Sequence, residues 1–452
     1  MPDMKRYSFL FSTLLSATAA LAQPTSARLA TAFARFEADS QLRSAISSLY
    51  VIDGRTGVVV FEKNAMTGLA TASTLKVVTA ASAYELLGTD FRYRTSIGTI
   101  GRGPGSILYL KPSGDPSLGS WRWPGTTDST VLAAFTASWR QAGVRPASLM
   151  IDDRGWEGER IPDGWMWQDI GNYYGAGASA FNWRENQFDI LLKSGPAIGS
   201  PVSIASTRPR LRTLGLRSVA TAAAKGSGDQ SYVYYPLTMD SGIVRGTIPV
   251  GETSFTISAA LPNPEREFAG LLGIPSHPVK RDRKITGDTT ILYTHVSPPL
   301  DSLVYWFLRR SINLYGEALA RTIGYNRTGV GTTDEGTKQM QRFWKERGID
   351  PVELKMEDGS GLSPLNRVTT HAQVQVLRYA QSRPWFNGYY AGFPEYNGMK
   401  MKSGTINGVK GFCGYHVASD GTPYIFSFLV NNYNGSASLL VKKMYAVLDL
   451  LK

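Results

Sequence analysis

The chain has 452 residues, more than one ordinary domain, and its 42% apolar residues are a normal supply for packed cores. Charged residues make up only 19%, beside 46 Gly and 24 Pro, which excludes a long coiled coil and fits a loop-rich globular chain with a formal charge of +12. The single Cys413 excludes an internal disulfide and a Cys-rich zinc site, and four scattered His without an H-x-x-x-H pair argue against a His-based metal centre.

In chain order, Lys5 and Arg6 precede an apolar run from Phe9, and Ala20-Leu21-Ala22 offers an A-x-A cleavage site. This predicts a signal peptide over 1–22, hence an exported protein of the periplasm or cell envelope. The run is short for a membrane span, and no Cys lies near the site to carry a lipid. The basic charge suits either peripheral association with anionic wall or membrane surfaces or simple solubility, and composition does not decide. Residues 27–46 have helical spacing. Leu49–Ile52 and Val58–Phe61 read as a hairpin around Asp53-Gly54-Arg55-Thr56-Gly57. A helix is predicted from about Ser73 to Leu87, with Gly88 as its stop.

From 91 to 290, short strand-like runs alternate with Gly, Pro, Ser and Asp clusters, and helical periodicity is scarce. Within this block, 152–204 is rich in Trp, Tyr, Gly and Asn; Trp156, Trp165, Trp167, Trp183, Tyr173 and Tyr174 read as the core of a small unit rather than as a sugar-stacking surface. Helical character returns at 300–325 and 334–347; 409–417 and 424–430 read as antiparallel strands, and Leu440, Met444, Val447, Leu448 and Leu451 line a last helix. The pattern predicts an α+β chain: a split domain at 23–90 and 291–452, a β-rich insert at 91–151 and 205–290, and a nested unit at 152–204.

Three short motifs carry chemistry. Ser73 and Lys76 lie one turn apart on a helix face, where the helix N-terminus and burial push the amine toward its neutral form, a base for the hydroxyl. That is the Ser-Lys variant of a nucleophile and base, although S-x-x-K alone is weak and also reads as a cap plus a surface lysine. Ser311-Ile312-Asn313 lies in an apparently helical stretch, Leu308–Glu317, and offers a hydroxyl to pass a proton and an amide to hold a substrate. Lys402-Ser403-Gly404-Thr405 follows on an extended run, where Gly404 permits close backbone approach. Lys193-Ser194-Gly195 repeats K-S-G in the wrong order, with Pro196 behind it.

In this order the motifs resemble those of the serine penicillin-recognising enzymes. Residues 72–81, Gly114–Leu118, Ser297–Leu300 and Asp358-Gly359-Ser360-Gly361-Leu362-Ser363 are similar to the low-molecular-mass class C penicillin-binding proteins, D-alanyl-D-alanine carboxypeptidases and endopeptidases; the resemblance covers nearly all of 47–452. It implies an antiparallel sheet flanked by helices and interrupted by two mainly β inserted domains. It implies Ser73 as nucleophile, Lys76 as its base, Ser311 with Lys402 as the route to the leaving amine, and Asn313 on the substrate amide. Ser403 and Lys402 would receive the terminal carboxylate, and the backbone N–H groups of Ser73 and Thr405 the oxyanion. Peptidoglycan stem peptides are the implied substrates and β-lactams the implied covalent inhibitors, with no cofactor, metal or nucleic acid; oligomeric state stays open. Many relatives carry Arg directly after Gly-Leu-Ser, working with an inserted-domain aspartate on the stem side chain. Here that position is Pro364, Asp152 matches the aspartate, and Arg367 is the candidate replacement. A β-lactamase or esterase on the same chemistry and an inactive wall-binding module are the competing readings; nitrocefin turnover and penicillin labelling separate them.

Overall fold

The computed structural model describes residues 24–452 apart from 102, 104, 157, 212–213, 237–240 and 279–287, so the expected leader at 1–22 lies outside the described residues. A six-stranded antiparallel sheet organises both chain ends, in the order Glu395–Tyr396, Met399–Ile406, Val409–Val417, Pro423–Asn431, Ile46–Asp53, Val59–Lys63. Alternation along one strand sets its two faces. Phe426 and Phe428 join Leu29, Phe33, Leu440 and Met444 from the first and last helices, while Ile425 turns to the opposite core of Val77, Val78, Val374 and Leu377. Between these, Ser427 is buried and satisfied by its bond to Gln373 Oε1 at 2.6 Å.

The helix Lys76–Leu87 is built mainly from small and apolar residues, and Lys76 through Tyr84 are all buried. It ends where expected, at Gly88, whose φ of 89° no β-carbon favours. It is entered through a tight 3₁₀ turn, Ala72–Leu75. The stretch 300–328 is two helices, Leu300–Arg310 and Asn313–Thr328; Ser311 stands between them at φ 56°, ψ 39°. The expectation of Ser311 inside a continuous helix is corrected by this break, which turns the hydroxyl out of the helix line.

The inserted block holds more helix than expected. Asp128–Gln141 packs Val131, Phe135 and Trp139, spaced i, i+4, i+8, into a core with Leu108, Leu110 and Leu149, and Pro264–Leu272 adds Phe268. Its sheet runs Ser276–Pro278, Ser148–Ile151, Ile107–Lys111, Arg94–Ile100, Thr289–Val296. The pairings also divide the insert differently from the expected nested unit. Val202–Arg208 and Phe255–Ala260 flank Gln187–Ser194, and Gly215–Ser218, Thr221–Ala223 and Gln230–Tyr234 pair with Ser241–Pro249. These two sheets share one core of Phe188, Ile190, Val233, Val244 and Ile257, so 205–260 belongs with 187–204 rather than with the outer sheet. Among the described residues no helix is long and apolar enough to cross a membrane.

Candidate active site

Ser73 sits in the 3₁₀ turn at the mouth of the buried helix. The residue before it, Ala72, is held at φ 47°, a left-handed conformation that an alanine adopts only when its surroundings enforce it. Two glycines let those surroundings come close. A β-carbon on Gly361 would lie 1.9 Å from the Ala72 carbonyl oxygen, and one on Gly404 would lie 2.6 Å from that of Thr71 and 3.0 Å from the Ser73 nitrogen. The loop 358–363 and the strand Met399–Ile406 are thus pressed on either side of the nucleophile turn.

Lys76 Nζ lies 3.0 Å from Ser73 Oγ and donates to Asn313 Oδ1 and the Ser360 carbonyl, each at 2.6 Å. The lysine is fully buried, and burial, then the charge of Lys402, holds its amine well below the ordinary lysine value. Asn313 is fixed from its other side by donating to the Tyr174 carbonyl at 2.7 Å, so the nested insert supplies part of the site. Lys402 is 1% exposed; its Nζ donates to Ser311 Oγ at 2.9 Å and to the Ser403 carbonyl at 2.7 Å, and burial pushes it down to about 7. Two serine hydroxyls therefore each face a lysine whose protonation burial has loosened.

Beneath them lie two buried acids. Asp358 accepts from Trp165 Nε1, the Gly361 and Ser363 amides and Asn366 Nδ2, at 2.6–3.0 Å, which fixes the loop that offers the Ser360 carbonyl. Glu317 accepts from the Gly359 amide at 3.2 Å, and burial and Asp358 push it up to about 8. Cys413 is buried opposite Lys402 on the neighbouring strand, its thiol pushed up to about 12 by burial, which leaves it inert.

Ser73, Ser311, Asn313 and Thr405 open onto a cleft of about 1230 Å³, walled by Trp121, Met166, Asp169, Tyr173, Tyr174 and Tyr232 from the insert and by Leu362, Pro364 and Tyr433. The aromatic cluster divides: Trp156, Trp165 and Trp183 are buried, as a core reading expects, whereas Trp167 and Tyr173 are more than half exposed. Asp152 is not among the cleft-lining residues. Its two oxygens bond Arg154, each at 2.7 Å, and one also takes the Tyr109 hydroxyl at 2.6 Å. Arg367 makes no ion pair with it and turns its guanidinium to the Pro364 and Asn366 carbonyls. Two acids do line the cleft: Glu185, which is paired with Arg122, and Asp169, which accepts from the Tyr174 hydroxyl at 3.4 Å. Sequence reasoning missed Asp169, together with Glu317 and the Ser360 carbonyl; the available signal was an acid inside the Trp- and Tyr-rich run 165–174.

The D-Ala-D-Ala carboxypeptidase 3 (S13) family matches residues 29–449. The D-alanyl-D-alanine carboxypeptidase of Actinomadura sp. (strain R39) is 29% identical over 96% of this chain and 87% of its own, and the D-alanyl-D-alanine carboxypeptidase DacB of Haemophilus influenzae is 22% identical over 83% of each. The crystal structure of penicillin binding protein 4 from Haemophilus influenzae superimposes with a TM-score of 0.77 at 20% identity, over 93% of this chain and 99% of that one, and so shares the fold.

Proposed function

The chain belongs to the D-Ala-D-Ala carboxypeptidase 3 (S13) family, and on that premise we propose that it trims peptidoglycan stem peptides through an acyl-enzyme and is blocked covalently by penicillins. Ser73 Oγ attacks the carbonyl carbon of the penultimate D-Ala while Lys76 takes its proton. The backbone N–H groups of Ser73 and Thr405 hold the oxyanion, and each such donor is typically worth a few kcal/mol of barrier. Collapse breaks the C–N bond, and Ser311, supplied by Lys402, protonates the departing amine. Water then hydrolyses the ester. Asn313 orients Lys76 and the substrate amide, and Ser403, Gly404 and Thr405 line the strand along which the peptide lies.

The observation that carries this reading is a fully buried lysine, held well below its ordinary pKa, 3.0 Å from a serine hydroxyl on a strained turn. The test is labelling with a fluorescent penicillin, followed by D-Ala release from a stem peptide. Wild type should do both and Ser73→Ala neither; label on the alanine variant would sink the assignment.

Action on cross-linked peptides as well as on free D-Ala-D-Ala ends is included in the proposal, the open cleft of about 1230 Å³ being the surface both would meet. Asp169, rather than Asp152, is the acid proposed to meet the amino end of the third stem residue. Export through the 1–22 leader is proposed with this role, as is a split catalytic unit at both chain ends, carrying an outer insert and a nested one that extends to Ala260.

A further inference from the structure

A terminal carboxylate in this cleft needs a cation, and neither catalytic lysine is placed to give it. Lys76 is committed to Ser73, Asn313 and Ser360, and Lys402 is buried with its amine on Ser311 and the Ser403 carbonyl. Arg122 lines the cleft, but Glu185 holds it through two bonds of 2.7 and 3.0 Å. One strand further in, Lys410 pairs in register with Thr405, so the two side chains share a face of the sheet. Lys410 Nζ donates to Thr405 Oγ1 at 2.7 Å, lies over the Phe412 ring, and has no carboxylate within ion-pair distance among the described residues. A hydroxyl that accepts from an ammonium has its own proton left to donate, and Thr405 is exposed on the cleft.

We infer that Lys410, acting through Thr405 as a positioning residue, supplies the positive charge against which the substrate's free carboxylate docks; this rests on the carboxypeptidase reading. The chain ammonium–hydroxyl–carboxylate is a pair of charge-assisted hydrogen bonds, stronger than either neutral equivalent. The rival source is Arg310, which lines the cleft beside Ser311 and stacks on Trp306 without an ion pair among the described residues.

The test compares second-order acylation by benzylpenicillin, whose carboxylate stands in for that of the terminal D-Ala, with acylation by its methyl ester. In Lys410→Met the acid-to-ester ratio should fall about tenfold, a step that is simple to resolve kinetically. Lys410→Arg should restore most of the ratio, because it keeps the charge. With a D-Ala-D-Ala peptide, Lys410→Met should raise KM far more than it lowers kcat, and continued acylation by the ester shows that the variant is folded. An unchanged ratio in Lys410→Met, or a loss found only in Arg310→Met, overturns the inference while leaving the enzyme assignment standing. A wild-type protein that reacts with neither compound overturns the enzyme assignment and this inference with it.

Discussion

On the floor of the cleft, Lys76, Lys402 and Asn313 are each less than a tenth exposed; on the wall across from them, Trp121, Met166 and Tyr173 stand about half exposed. The floor comes from both ends of the chain, and its side chains are bonded on every side. The wall comes from the insert, and its side chains offer apolar area with few bonds. Burial on the floor costs solvation, and that cost is what moves two lysine amines toward neutrality. Exposure on the wall gives a large, flat ligand something to cover. Changes to the floor should therefore alter the rate of bond making with any acylating agent. Changes to the wall should alter which peptide is chosen.

The largest expected effect is on the floor. Lys76→Arg keeps the charge but cannot deprotonate at working pH, so acylation by penicillin should drop roughly a thousandfold, within the span usual for losing a general base. A loss under about tenfold would make Lys76 a positioning charge and move the base to Ser311 with Lys402. Next, Asn313→Ala removes both the Lys76 contact and the Tyr174 tether, and acylation should fall about a hundredfold, at the low end of that same span. The wall should behave otherwise. Tyr173→Ala should leave penicillin acylation within a few-fold while lowering kcat/KM on a stem peptide about tenfold, the worth of one exposed aromatic contact. Equal losses with both substrates would erase the distinction between floor and wall.

The same division explains what could be read in the sequence. Ser73 and Lys76 were legible because helix geometry is local: three residues apart means one face, whatever the rest of the chain does. Gly88 as a stop and the strands at 409–417 and 424–430 are equally local, and they held. The helical setting of Ser311 was misread because Leu308–Glu317 keeps helical spacing on both sides of the break, whereas the residue has a left-handed φ and meets Lys402 from a remote strand. The helix Asp128–Gln141 had its signal in Val131, Phe135 and Trp139, but the surrounding Gly and Pro clusters masked it. Asp152 was a match of residue type in a strand context, and nothing in the sequence says that Arg154 and Tyr109 claim its oxygens. Distances between remote segments, such as Tyr174 to Asn313, have no sequence signal at all.

The smallest effect on activity, and the sharpest probe of the floor, concerns Glu317. Its carboxyl is fully buried, and one oxygen accepts from the Gly359 amide. Burial and Asp358 push it up to about 8, so it keeps its proton in the folded protein over a range where the unfolded chain has released it. The folded state then binds more protons than the unfolded one, and this group's contribution to stability falls as pH rises from the ordinary glutamate value toward about 8. Glutamine is the isostere of the protonated acid, still accepts from Gly359, and titrates nowhere in that window. Glu317→Gln should therefore match wild type near pH 4.5 and exceed it by 1 kcal/mol or more, on the order of one pKa step, at pH 8. The difference in urea midpoints at the two pH values measures this and cancels titrations remote from the site. Acylation should change only a few-fold, because the Ser360 carbonyl keeps its place. A variant less stable than wild type at pH 8 would mean that Glu317 works as an anion paired with Lys76, and the floor would then hold its lysine charged until substrate arrives.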